Sequence, residues 1–351
     1  MRVIQQGLSC TIPMPRRKKI CRGKERRNTM KNNRSLARAD KLARIMAGLG
    51  CLGAVVTVLM RVWLSPSQLD MDTGLFGTNL PVIGLMLLIV LLLGCGVFVT
   101  RGGFRQEIIG KPLLVLSVVL LAVGGVIAVF GVAEILARLG ILTLSTVTVS
   151  AAGAAGNAAV LLQWLQSVFC LLSGVALVRL GLSLASEGAT RRGISQWGVL
   201  APVLWIWFVL ANYEMSYASM VRLTDGFFTL ATYIMEMLFL FFFARYIAGV
   251  GQVGFATMLF FSAGATLFAV SAPLVRLILY LLQDMEALSA AGAAGPMDLA
   301  IGLLALTVTI TLCHSLSSAG AQNSREEEEE EWFAAESAVE LIEGFEETGE
   351  E

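Results

Sequence analysis

One histidine, His314, is all the chain has, and that scarcity removes several classes of chemistry at once. A multi-histidine metal site is impossible, and a Ser-His-Asp triad has nowhere to form except beside His314. His314 follows Cys313 near the end of the last apolar block, so it reads as an interfacial imidazole. The six cysteines (Cys10, Cys21, Cys51, Cys95, Cys170 and Cys313) form no C-x-x-C pair. Four of them lie in apolar blocks, where cysteine serves as a small filler. Cys10 and Cys21 belong to a segment expected in the reducing cytoplasm, so no disulfide framework is expected. No G-x-x-x-x-G-K-[ST], H-E-x-x-H or G-x-S-x-G occurs. "GLGCLG" at 48–53 has the look of a nucleotide loop but lies inside an apolar block, where small residues permit close helix packing. The sequence therefore predicts no catalytic residue, no metal ligand, no cofactor and no enzymatic activity.

Charge is scarce as well. Charged residues make up 15% of the chain, against roughly 25% in a soluble domain. Hydrophobic residues make up 56%, and the mean hydropathy is +0.75. These apolar residues are gathered into eight blocks, at 43–64, 80–99, 112–135, 158–184, 197–215, 227–247, 253–282 and 299–316. About 20 apolar residues in a helix match the ~30 Å hydrocarbon core of a bilayer. Only helices and closed barrels satisfy their backbone groups in lipid. The expected fold is all-α: a polytopic membrane protein of about eight transmembrane helices.

The charges that do occur are sorted. Residues 1–44 hold fourteen Lys or Arg against Glu25 and Asp40, whereas residues 319–351 hold thirteen Glu against Arg325. Three regions follow: a basic cytoplasmic segment (1–42), a transmembrane domain (43–318) and an acidic cytoplasmic tail (319–351). Lys and Arg beside spans are retained in the cytoplasm. With the N-terminus inside, the inner loops carry Arg101, Arg105, Lys111, Arg191, Arg192 and Arg245. The outer loops then carry Asp70, Asp72, Asp284, Glu286 and Asp298. The exceptions are Arg138 and Arg222, each near an acid, Glu134 or Asp225. Eight spans place both termini in the cytoplasm, and the plasma membrane is the expected location. The basic stretch before the first block exceeds an ordinary signal-peptide n-region, so no cleaved secretory signal is expected. Met30 opens a stretch that resembles a normal start, which makes residues 1–29 an expected upstream extension.

"SAAGAAG" occurs at 150–156 and again at 289–295, in outer loops one half-protein apart. Duplicated four-helix halves would give parallel repeats. The apolar blocks do not align by residue type, however, and Ala/Gly/Ser runs suit any flexible connector. The connector reading is preferred.

Ionisable groups inside spans are costly and so mark function by default. Glu236 lies near the middle of the sixth block, with Thr229, Thr232 and Tyr233 at i−7, i−4 and i−3 on one helix face. Its expected partner is Arg276 in the seventh block, on a face shared with Ser262, Thr266, Ala269 and Pro273. Pro273 leaves the Ala269 carbonyl without its helical donor. Gln163, Gln166, Cys170 and Ser173 share a face of the fourth block, and the fifth ends with Asn212, Tyr213 and Glu214. Glu134 and Arg138 are spaced to pair. Two accounts stand side by side. Either Glu236 binds a cation or proton in a polar cavity of spans four to seven, or Glu236 and Arg276 neutralise one another and fix the packing.

In the tail, Ala335, Ala338, Leu341, Ile342 and Phe345 form the apolar stripe of a short amphipathic helix beyond a run of six glutamates. Leu341, Ile342 and Phe345 are its expected docking face. A cytosolic protein with a basic surface, or the chain's own N-terminal segment, is the expected partner there, since anionic lipid repels it. The basic head can bind anionic lipid. No aromatic residues are interleaved with its arginines, which argues against nucleic acid. The expected function is permease-like transport or sensing of a small solute or ion. The alternative is a membrane scaffold or regulator that recruits a cytosolic partner through the tail.

Overall fold

All eight apolar blocks form helices. The computed structural model describes residues 41–63, 69–70, 75–76, 80–99, 111–141, 157–185, 196–217, 223–248, 255–283 and 295–315. The helices are α1 (Lys41–Trp63), α2 (Leu80–Val99), α3 (Lys111–Arg138), α4 (Asn157–Ala185), α5 (Gln196–Tyr217), α6 (Leu223–Ala248), α7 (Phe255–Gln283) and α8 (Pro296–Ser315). A two-residue antiparallel pair, β1 (Leu69–Asp70) and β2 (Leu75–Phe76), lies between α1 and α2 in the chain. Seven of the helices are long and apolar enough to cross a membrane. The remaining one, α2, is a helix of 20 residues with a shorter described apolar stretch, Val82–Cys95. The chain is a multi-pass helical membrane protein. Its outward side chains agree: Leu52, Leu91, Leu161, Leu182 and Leu281 are among many large apolar groups left exposed. Such a surface in water would drive aggregation, and lipid is the solvent that suits it.

Helix ends follow local chemistry. α3 stops in a Schellman arrangement: Gly140 adopts φ +74°. Gly140 N–H donates to Ala137 O (3.1 Å) and Ile141 N–H to Leu136 O (3.0 Å). α8 starts three residues before the expected 299. Gly295 is its N-cap, Pro296 occupies the first helical position with its φ already set, and the Asp298 carboxylate accepts from Gly295 N–H. This start overturns the placement of Asp298 in an outer loop. It belongs to the first turn of α8 and is buried.

α7 is the centre of the packing. Of its span, 78% is buried, against 56% for α8 and 17–39% for α1, α3, α4, α5 and α6. Small residues explain how so many helices reach it. A Cβ at Gly50 of α1 would come 3.0 Å from Ala263 Cβ, and one at Gly302 of α8 would come 3.0 Å from Ala269 O. Gly302 thus lies against the carbonyl that Pro273 leaves without its helical donor. The neighbour drawn in by the small face of α7 is therefore α8, and the Thr309 and Ser262 hydroxyls meet there at 2.9 Å. α3 and α4 form a second close contact. A Cβ at Gly131 would come 2.7 Å from Leu171 N, and Gly174 is pressed against the Ala128 backbone. Residues 1–40 and 316–351 lie outside the described residues. So do both SAAGAAG copies except Gly295, and the docking face Leu341, Ile342 and Phe345.

Candidate functional site

Glu236 is wholly enclosed, at 0% exposure, midway along α6. Thr229, Thr232 and Tyr233 are buried on the same side of the helix. Thr232 Oγ1 donates to Phe228 O one turn back (2.7 Å) and lies 3.5 Å from Phe268 O of α7. The Tyr233 ring meets Tyr213 of α5 edge-on, with centroids 5.6 Å apart at 73°. Neither Glu236 oxygen has a donor among the described residues. An ionised carboxylate is acceptor-only and seeks several donors, so this is an unusual place to keep one.

The group that faces Glu236 is Asp298 of α8, with the two carboxyls within hydrogen-bonding reach. Arg276 of α7 acts electrostatically on Asp298 and on Tyr233. Asp298, rather than the expected Arg276, is thus the group that meets Glu236, and Arg276 acts on Asp298. The reason lies in the start of α8: with Gly295 and Pro296 as the boundary, the third residue turns its carboxyl into the bundle. Asp298 is better provided than Glu236. It accepts from Gly295 N–H, belongs to a helix N-terminus and has Arg276 near.

Gln163 and Gln166 are drawn elsewhere. Arg138 donates from Nε to Ser167 Oγ (2.7 Å) and from a terminal nitrogen to Gln163 Oε1 (3.1 Å). Ser167 Oγ also lies 3.0 Å from Glu134 Oε2. Glu134 and Arg138 are therefore joined across the α3–α4 contact through Ser167, and Gln163 belongs to that network rather than to Glu236. Gln166 accepts from Asn212 Nδ2 of α5 (2.6 Å), and Asn212 is the chain neighbour of Tyr213. One turn further along the same face of α4, Cys170 Sγ lies 3.8 Å from Met297 Sδ, next to Asp298. The two polar groups are thereby neighbours through α4 and α5.

Arg61 of α1 was missed by sequence reasoning altogether. It is 2% exposed, with its guanidinium carbon 4.3 Å from the centre of the Phe228 ring. An arginine three residues before the end of an apolar block reads as a snorkelling end group, and only the α1–α6 contact shows that it turns inward. Of the tryptophans, Trp207 is exposed whereas Trp205 is buried, so one faces lipid and the other packs. His314 is exposed at the end of α8.

No protein-family model, curated protein or solved structure matches the chain. Among the described residues no group of three or more His, Cys, Asp or Glu is arranged to hold a metal ion. A cleft lined by Ala176, Leu180, Gly198, Pro202, Leu240 and Phe243 lies between α4, α5 and α6, and every residue along it is apolar. The polar groups that face Glu236 belong to α8 and to α6 itself, apart from this cleft. The carboxyl pair can hold a proton or a small cation, and nothing in it resembles a nucleophile with its base.

Proposed function

We propose that this protein is a permease-type membrane protein that moves or senses a small ion or solute through the polar site of α4 to α8. One observation carries the reading: two carboxyl groups, Glu236 and Asp298, face one another inside the helix bundle, and Glu236 has no donor among the described residues. A scaffold gains nothing from such a pair, because charge burial costs several kcal/mol even on lenient scales (about 2.5–3.5). The Lys and Arg asymmetry of the loops supports a plasma-membrane orientation with both termini in the cytoplasm.

The test is reconstitution of the full chain into vesicles carrying a proton, Na+ or K+ gradient, read by internal pH- and cation-sensitive dyes. Wild type is expected to dissipate at least one gradient, and Glu236→Gln is expected to fold yet lose that flux. Equal flux from both proteins, or none from wild type, refutes the reading. The alternative, a scaffold working through the tail, predicts no flux and a partner lost on removal of residues 325–351.

A further inference from the structure

We infer that Glu236 and Asp298 share one proton, carried on Glu236, so that Glu236 is the hydrogen-bond donor and Asp298 the ionised acceptor. The inference rests on the reading above and deepens it by naming the proton as the ion held at rest.

Three observations meet. Glu236 is fully enclosed and neither oxygen has a donor among the described residues, so its charged form would stand unsolvated. A neighbouring carboxyl makes that worse, since two like charges at contact cannot both be ionised in a low-dielectric site. The third is the difference between the two acids. Asp298 accepts from Gly295 N–H, belongs to the first turn of α8 and faces the Arg276 charge. One proton therefore resolves both problems: it makes Glu236 a neutral donor and leaves Asp298 as the counter-charge to Arg276. The other groups facing the pair fit this assignment. Tyr233 of α6 and Tyr213 of α5 bring neutral phenols, and Thr232 points its hydroxyl at its own helix. From α4, Cys170 reaches Met297, the chain neighbour of Asp298. The Arg61 guanidinium of α1 is directed at the Phe228 ring instead.

The assignment has a chemical corollary. If the proton leaves to water, two carboxylates face Arg276, and the pair carries one negative charge more than that arginine balances. A small cation that arrives as the proton departs would offset that charge, so exchange of one for the other is the step the pair is suited to.

Infrared spectroscopy of the full-length protein in lipid at neutral pH, in water and in heavy water, tests the assignment. A protonated-carboxyl stretch is expected in wild type. It is expected to vanish in Glu236→Gln, persist in Glu134→Gln and shift in Asp298→Asn. Absence of the band in wild type, or its persistence in Glu236→Gln, overturns the inference. Should Glu236→Gln fail to fold, an unshifted band in Asp298→Asn overturns it equally. A Glu236-dependent band in a protein that dissipates no gradient leaves the proton assignment standing and removes the permease reading. Flux that needs Glu236 without any such band does the reverse.

Discussion

Glutamine at position 236 is nearly the shape of a protonated glutamate, which makes Glu236→Gln a sharp perturbation. If Glu236 is already neutral, the substitution trades one neutral donor for another against Asp298. The cost is then about one ordinary hydrogen bond at most, roughly 0.5–1.5 kcal/mol. If Glu236 were instead the ionised partner of a buried arginine, its removal would strand that charge and cost about 3–5 kcal/mol. The two values differ several-fold, well beyond the scatter of a denaturation curve. Asp298→Asn is expected to behave oppositely. It removes the charge that faces Arg276 and weakens the acceptor for Gly295 N–H, so the larger penalty, about 3–5 kcal/mol, falls there. Equilibrium unfolding of the full chain in mixed micelles, followed by tryptophan fluorescence, measures both. The reasoning fails if Glu236→Gln destabilises as much as Asp298→Asn, or if the order is reversed.

Glycine pairs give an independent check on the helix contacts. Gly174→Ala forces a methyl into the Ala128 backbone and is expected to cost about 1–3 kcal/mol in the same unfolding assay. Gly125→Ala, with nothing within 4 Å, is expected to be neutral or slightly stabilising. Ser167→Ala removes the hydroxyl between Glu134 and Arg138 and is expected to cost about 1–3 kcal/mol, with Gln166→Ala less affected because Asn212 alone loses a partner. Tags at the two termini are expected to be reached by membrane-impermeant labels only from the cytoplasmic side; labelling from opposite sides would refute the orientation. Removal of residues 325–351 is expected to leave gradient dissipation unchanged, and loss of flux on truncation would make the tail part of the permease.

The fold was legible because bilayer length is written directly in the runs of apolar residues, and α2 begins and ends where its block does. The inward turn of Thr229, Thr232, Tyr233 and Glu236 was legible for the same kind of reason, since helical spacing groups them on one face. What faces that stripe was not. Partner choice depends on which helices touch, and no periodicity states that α8 lies against the Pro273 face of α7. Asp298 was read as a loop acid because the apolar block begins one residue later, whereas the capping geometry of Gly295 and Pro296 starts the helix before it. Arg61 escaped for a similar reason: its burial is a property of Phe228 on a distant helix. Gln163 and Gln166 were assigned by their shared face, yet each reaches sideways to a different neighbour, Arg138 or Asn212.

Asp298 answers to two masters. The oxygens that hold the opening turn of α8 belong to the same carboxylate that faces Glu236. Any ion that competes for them therefore loosens a helix as well as filling a site. On the proposed reading, an ion held at the pair would act directly on the start of α8, at Gly295 and Pro296, without a separate transmission element.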